Sequence, residues 1–502
     1  MGRMRLFVFL LSIFLSLGGI AFAAPKDTVV IAQGVDPSTL DPHNHQETPA
    51  FNVLLNIYDT LLIRDDNLKI QPLLASSYKI VDEKTWEFKL RKGVKFHNGE
   101  DFNAASVKYT LERMADPAKK LKQSYFQGII SRVDIVDDYT VRILTTKPYP
   151  FLDAQLSHVG AMLPPKHLQE KGEKELATNP IGTGAYKFVK WVKDDQLVME
   201  ANPNYWRGAP RIKKVIFRPI PEATTRVAGL QTQEVDIIVN IPPHLSRLMQ
   251  WKGRSYVAKV PSSRVIFMGI DTTKGGPMAD KRVRQAIAHS IDLDNIIKKV
   301  LEGHGMRLGV PLTQYHFGYE PNIKPYPYDT EKAKKLLAEA GYAKGFDFVL
   351  LSPNGRYLND KEVAEAVVGD LRKVGINASV RVQEWGTHIS LLYAFKGNPA
   401  HILGWGGATF DADGTFFPLL RTSQVLSHFS NAALDSLIDQ ARSVMSQEKR
   451  QKLYSEACKI FHEEVPWAFV YQQVDIYGVS ERVDWKPRGD EKLIVFNMSF
   501  KK

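Results

Sequence analysis

The spacing of apolar and polar residues divides the chain into two textures. In the first half, short β-branched or alternating runs predict strands over Thr28 to Gln33, Thr85 to Leu90, Tyr139 to Thr145, Tyr186 to Val192, Leu197 to Ala201, Val215 to Ile220, Val235 to Val239 and Arg264 to Asp271. Two helices are expected among them, one over Pro49 to Leu62 and one running from an Asn103 cap to Met114 with Val107, Leu111 and Met114 on one face. After Asp271 helical spacing dominates: Asp280 to Ser290, Thr330 to Ala340 closed by Gly341, Asp360 to Val374 closed by Gly375, Asn431 to Ser443, and Gln447 to Glu464 stopped by Pro466. Short strands, Phe346 to Leu351, Ile376 to Val382 and His401 to Trp405, lie between the helices. Strand alternating with helix predicts a mostly parallel sheet covered on both faces, hence an α/β fold. A Pro-rich interval, Lys147 to Pro165, marks a change of unit, and no internal repeat is evident.

Composition narrows the setting. The chain opens Met-Gly-Arg-Met-Arg, continues as the apolar run Leu6 to Ile20, and then offers Ala21-Phe22-Ala23, the pattern of a secretory signal peptide cut before Ala24. The run is shorter than the about 20 apolar residues a spanning helix needs. No cysteine follows it to carry a lipid, so a soluble, exported protein is expected. Cys458 is the single cysteine; it sits among apolar residues at helical spacing, which suits a buried small hydrophobe and leaves stability to a large core. The formal charge of +11 includes Arg3 and Arg5, which leave with the leader. The remaining basic residues are interspersed with acids, as in Lys332 to Glu339, and no basic run is interleaved with aromatics, so nucleic acid is not an expected partner.

One stretch has the make-up of a binding loop. Gly404-Trp405-Gly406-Gly407-Ala408-Thr409-Phe410-Asp411-Ala412-Asp413-Gly414 combines glycines that admit a close approach, a flat stacking surface at Trp405, and two carboxylates at Asp411 and Asp413 that could take a cation. The competing reading is a tight turn whose Trp packs on the core and whose Asp side chains bond nearby backbone. Catalytic signatures are near misses. His462-Glu463-Glu464-Val465-Pro466 lacks the second histidine of a zinc-protease helix, and Gly182-Thr183-Gly184-Ala185 lacks the third glycine of a dinucleotide loop and precedes a strand. Asp411-x-Asp413-Gly414 is too short for a calcium loop. His43 and His45 could share a metal, but histidines in a Pro-Asn loop also read as ordinary surface residues. No catalytic residue, metal or cofactor is expected, which favours a binder over an enzyme.

The motifs Pro72 to Tyr78, Thr85 to Gly99, Asn103 to Arg113, Pro180 to Tyr186, Asn202-Pro203-Asn204-Tyr205-Trp206, Asp280 to Asp292 and Tyr328 to Tyr342, in that order along nearly the whole mature chain, resemble the extracellular solute-binding family 5, the peptide-type binding proteins of ABC importers. The resemblance implies a periplasmic-binding-protein type II fold, two lobes joined by two crossover strands with an extra subdomain inserted in lobe I. The implied division is signal 1–23, lobe I from 24–52, 181–268 and 474–502, inserted subdomain 53–180, and lobe II 269–473. The texture change at Arg264 to Asp271 marks the first crossover.

What the resemblance implies for function is ligand capture between closing lobes in the periplasm, followed by docking of a monomer on membrane permease subunits. Peptide-binding relatives show Gly-Trp-x-x-Asp, whose Asp holds the ligand's amino group; here that position is Ala408. Asp411 or Asp413 could supply the charge instead, a pattern similar to glutathione-binding members. Arg356, in Ser352-Pro353-Asn354-Gly355-Arg356-Tyr357, matches a position where relatives carry a cation for the ligand carboxylate, and a surface arginine after a turn is the alternative. The expected ligand-binding set is Trp405, Gly406, Gly407, Asp411, Asp413, Arg356, Tyr357 and, from the lobe I loop Asp36 to His45, Thr39. The expected ligand is a short peptide or peptide-like conjugate. A metal chelate, haem or other small solute within the family, and a periplasmic peptide hydrolase outside it, are the alternatives.

Overall fold

The computed structural model describes residues 27–394, 396, 399–424 and 426–501. The expected signal peptide, 1–23, lies outside the described residues.

An eleven-stranded sheet runs through the molecule. Its middle is a pair of long antiparallel strands, Ser255–Ile270 and Trp467–Ser480. At one end of the pair, Ile237–Ile238 joins Trp467–Ser480, and Thr28–Gln33, Lys214–Pro219, Gln196–Ala201 and Tyr186–Val192 follow in that order. At the other end, Ala400–Trp405, Asp347–Pro353 and Asn377–Gln383 continue from Ser255–Ile270. Each half has its own apolar core. Val29, Ile31, Val215, Phe217 and Tyr477 are buried in one, and Ile266, Met268, Val283, Leu350 and Val367 in the other. Two strands shared by two cores are a hinge, and their pairing breaks register between Pro261 and Val265, midway along.

The sheet is mixed, which corrects the expectation of a mostly parallel one. Thr28–Gln33 pairs in parallel with both its neighbours, as does Asp347–Pro353. The two crossovers run antiparallel to each other, the first of them, Ser255–Ile270, is antiparallel to Ala400–Trp405 as well, and Gln196–Ala201 is antiparallel to both its neighbours. Strand Trp467–Ser480 was not foreseen from its pattern. It is buried almost throughout, so it lacks the alternation that marks a half-solvated strand.

Between the first strand and Tyr186 the chain builds a separate antiparallel sheet, ordered Ala75–Asp82, Thr85–Leu90, Thr140–Thr145, Ile130–Asp137. Trp86, Phe88, Val141 and Ile143 of that sheet pack on Val107, Leu111 and Met114 of helix Ala104–Ala115. The Asn103 side chain accepts a hydrogen bond from Ala105 N at the start of that helix. Caps of the same kind recur at helices whose caps were not read from the sequence: Asp280, Asp329, Asn431 and Ser446 each accept a backbone N–H in the first turn of their helices.

The helix expected over Pro49 to Leu62 is only Thr48–Leu54. Beyond it the backbone is claimed by tertiary partners. Asn56 Nδ2 donates to Leu493 O at 3.0 Å and its Oδ1 accepts from Val495 N at 2.8 Å. Ile57 O accepts from Gly184 N at 2.9 Å. A Cβ on Gly182 or Gly184 would stand 2.1 or 2.6 Å from Ile57 O, so this glycine pair serves a close approach of two backbones.

Candidate functional site

The loop Gly404–Gly414 leaves strand Ala400–Trp405 beside the first crossover, with Trp405 opposite Val265. Its chemistry is mostly turned inward. The Trp405 indole donates to Gly414 O at 2.7 Å. A Cβ on Gly404 would meet Ile266 and Tyr357 at 2.6 Å, and one on Gly407, whose φ is +53°, would meet the His316 ring at 2.3 Å. Asp411 is buried and accepts both nitrogens of the Arg450 fork, at 2.7 and 2.9 Å, plus Asp413 N at 3.0 Å. A bidentate buried pair of this kind leaves no charge for a ligand. Asp413 is buried 3.3 Å from Arg442 Nε. Burial outweighs that cation and, with Asp411 nearby, pushes the Asp413 carboxyl up to about 6.

Arg356 is arranged in the opposite way. The carboxylate of Asp360 accepts the N–H groups of Gly355, Arg356 and Tyr357 at 2.9 to 3.1 Å, so it pins the loop that presents this arginine. Tyr357 OH donates to Gly404 O at 3.2 Å, which ties that loop to the glycine-rich one. The Arg356 guanidinium lies against Tyr357 and Trp385, 5.0 and 5.1 Å from the ring centres. Among the described residues it has no ion-pair partner. Burial, and then the charge of Arg264, hold its pKa below the ordinary value. Arg264, on the register break of the first crossover, is neutralised by Glu491, with Nε and Nη2 donating at 3.0 Å each.

Contacts from the first half of the chain close over these loops. Leu358, two residues past Arg356, is buried in a cluster with Val30, Ala32, Ile238 and Ile476. Arg64 donates to Thr409 O and lies over the Phe410 ring. Phe151 lies under the Arg450 guanidinium, 5.3 Å from it. Arg64, Arg264, Leu358, Arg450 and Glu491 were not singled out from the sequence. Their partners are distant in sequence, 39 positions for Arg450 and Asp411 and 227 or more for Arg264 and Arg64, so no local pattern marks them.

Thr39 is half-buried, and its hydroxyl accepts Asp41 N at 3.2 Å. Arg113 staples the loop around it by donating to Asp41 at 2.7 Å and to Glu173 at 2.9 Å. His43 and His45, read as surface residues, are buried. His43 Nε2 faces Ala161 O at 2.9 Å and its Nδ1 faces Arg113 at 2.8 Å, so a neutral ring donating from Nε2 and accepting at Nδ1 satisfies both. Burial and Arg113 pull its pKa down to about 3. Both ring nitrogens are thus committed, and among the described residues no group of three or more metal-ligating side chains is assembled. Cys458 is buried, and burial pushes its thiol up.

Two cores on a pair of shared strands, with charged and aromatic groups gathered where they meet, define a two-lobed solute-binding protein. Residues 69–426 match the bacterial extracellular solute-binding proteins, family 5 Middle, and the chain belongs to that family. It is 31% identical over 461 residues to a glutathione-binding protein, GsiB, of Shigella flexneri, covering 89% of each chain. It is 32% identical over 501 residues to heme-binding protein A of Haemophilus influenzae, covering 92% of this chain and 90% of that one. A solved structure of the periplasmic binding protein DppA of Helicobacter pylori in complex with the peptide STSA superposes with a TM-score of 0.84 at 28% identity, covering 95% and 98% of the two chains. The fold is the type II periplasmic-binding-protein fold expected from the motifs.

Proposed function

We propose that this protein captures a short peptide or peptide-like conjugate between its lobes and hands it to the permease of an ABC importer, acting as a non-catalytic carrier. The observation that carries this reading is Arg356: a half-buried cation without an acidic partner among the described residues, on the loop whose Leu358 seats in the opposite core. A ligand carboxylate supplies the missing anion and is held as the lobes close, so recognition is led by the carboxyl end. The amino end is held weakly, because Ala408 stands where peptide-binding relatives place an Asp and Asp411 is spent on Arg450. Asp413, with its raised carboxyl pKa, is the remaining acidic group. Trp405, Gly406, Gly407, Tyr357 and Thr39 complete the proposed ligand wall. The relatives that bind glutathione and a peptide support this chemical class. The rest of the proposal is export through the leader ending at Ala23, residence in the periplasm as a monomer, and docking on permease subunits at the inner membrane.

The test is thermal unfolding and calorimetry with free tripeptides, the same peptides N-acetylated, and glutathione. Ligand at about a hundred times its dissociation constant adds about 2.7 kcal/mol. Free and acetylated peptides are both expected to stabilise, and Arg356→Ala is expected to weaken binding more than tenfold. An unchanged dissociation constant in that variant would sink the assignment. Heme is a second reading, favoured by the Haemophilus relative; its carboxylates would meet the same arginine, and a Soret band on the loaded protein would distinguish it.

A further inference from the structure

A groove of 690 Å³ lies outside the cleft, between the strand pair Leu62–Arg64 and Ile70–Pro72, the loop around Trp206 and the C-terminal segment. Among the described residues none between 212 and 487 lines it, and its one link to the glycine-rich loop is Arg64, which donates to Thr409 O. Its wall carries five arginines against two aspartates, Asp65 and Asp66. Arg91 lies 5.0 Å from the Trp206 ring and Arg207 lies 4.9 Å from the Phe496 ring. Arg91, Arg207 and Arg211 form no ion pair among the described residues. Arg488 is shared between Asp66 and Asp490. Arg64 is buried; its Nη1 and Nη2 donate to Leu68 O and Thr409 O, and among the described residues its Nε is a buried donor without a partner.

At the base the groove narrows into a recess of 30 Å³, with which it shares Arg64, Arg207 and Arg488. Lys492 lines that recess. It is 7% exposed, and among the described residues its ammonium makes no hydrogen bond or ion pair. Burial and the charges of Arg488 and Arg64 bring its pKa down to about 8, against the opposing charge of Asp490. Asp59, in the same recess, is already taken by the donors Thr183, Tyr205 and Trp206. Asp490, the acid whose charge reaches Lys492, is already held by both nitrogens of the Arg488 fork, so positive charge is in excess in the recess, which has room for about two water-sized groups. The wider part above it falls within the roughly 300–1,000 Å³ of small-molecule sites.

We propose that this groove is a second ligand site, which takes a soluble small polyanion bearing at least two phosphate or carboxylate groups, one directed at Lys492 and Arg64 and another received by Arg91, Arg207 and Arg211. The guanidinium fork suits the planar or tripodal oxygens of such groups.

The test is titration calorimetry at low salt with inorganic pyrophosphate and with citrate as probes, alongside flotation with phosphatidylglycerol vesicles. Saturable binding of a free probe is expected, at least tenfold weaker in an Arg207→Gln/Arg211→Gln double variant, whose substitutions are both exposed, and unchanged in Arg356→Ala. At pH 8.5 binding should take up protons, read from buffers of different ionisation heat, because the anion restores the charge of Lys492; Lys492→Met should remove that uptake. No saturable binding of either probe, binding that the arginine pair does not alter, binding lost with Arg356, or association with vesicles alone would each overturn the proposal. Should Lys492→Met not fold, the arginine double variant decides it.

Discussion

The Gly404–Gly414 loop and the Asn354–Leu358 loop meet through Tyr357, yet they use charge in opposite ways. The first holds two carboxylates, and Asp411 is locked to Arg450. The second holds one guanidinium, stacked on two rings with no acidic partner among the described residues. A half-buried charge whose counter-charge is missing is open to an anion from outside the fold. One with its counter-ion already in place is part of the scaffold, and sequence cannot tell the two apart because it does not show the partner.

The comparison breaks most sharply at Arg450. Removing this side chain leaves Asp411 buried without its partner, so Arg450→Ala should cost about 3–5 kcal/mol in urea unfolding. Replacing both partners, as Arg450→Met with Asp411→Leu, should recover much of that loss, because two well-packed apolar side chains replace a buried pair at little cost. A loss below about 1 kcal/mol for Arg450→Ala would mean that Asp411 is free to serve a ligand.

Asp413 sharpens the same comparison through pH. Its folded-state value is raised to about 6 from the ordinary 3.8. Between those values the folded protein keeps a proton that the unfolded chain has released, so stability falls as pH rises through this window. Asp413→Asn removes the titration. Relative to the native protein it should gain on the order of 2 kcal/mol between pH 4 and pH 7. A difference that stays flat with pH would show that Arg442 fully neutralises the carboxylate.

Much of the fold was legible. Helix Gln447–Glu464 falls on its predicted residues because its cap, Ser446, and its stop, Pro466, are both local signals. The strand Tyr186–Val192 is likewise local. Elements governed by distant partners were not legible: Asn56 ends the first helix early by bonding residues 493 and 495. The site divides along the same line. Trp405 and Arg356 stand out by residue type, but the pairing of Arg264 with Glu491 spans 227 positions and appears only once the hinge is built.

The smallest expected effect is the most direct test of the contrast. Arg356→Ala should change the stability of the ligand-free protein by no more than about 1 kcal/mol. The lost ring contacts, each about 0.5–1 kcal/mol, are offset by release of a half-buried cation whose pKa is already held down by burial and by Arg264. Arg356 and Arg450 are both guanidiniums lying on aromatic rings, so ring contact alone would give them similar costs. Urea unfolding of the two alanine variants under one condition isolates the remaining difference, the carboxylate. If Arg356→Ala proved as costly as Arg450→Ala, its charge would be satisfied within the fold, and carboxylate-led capture would have to seek another cation in the cleft.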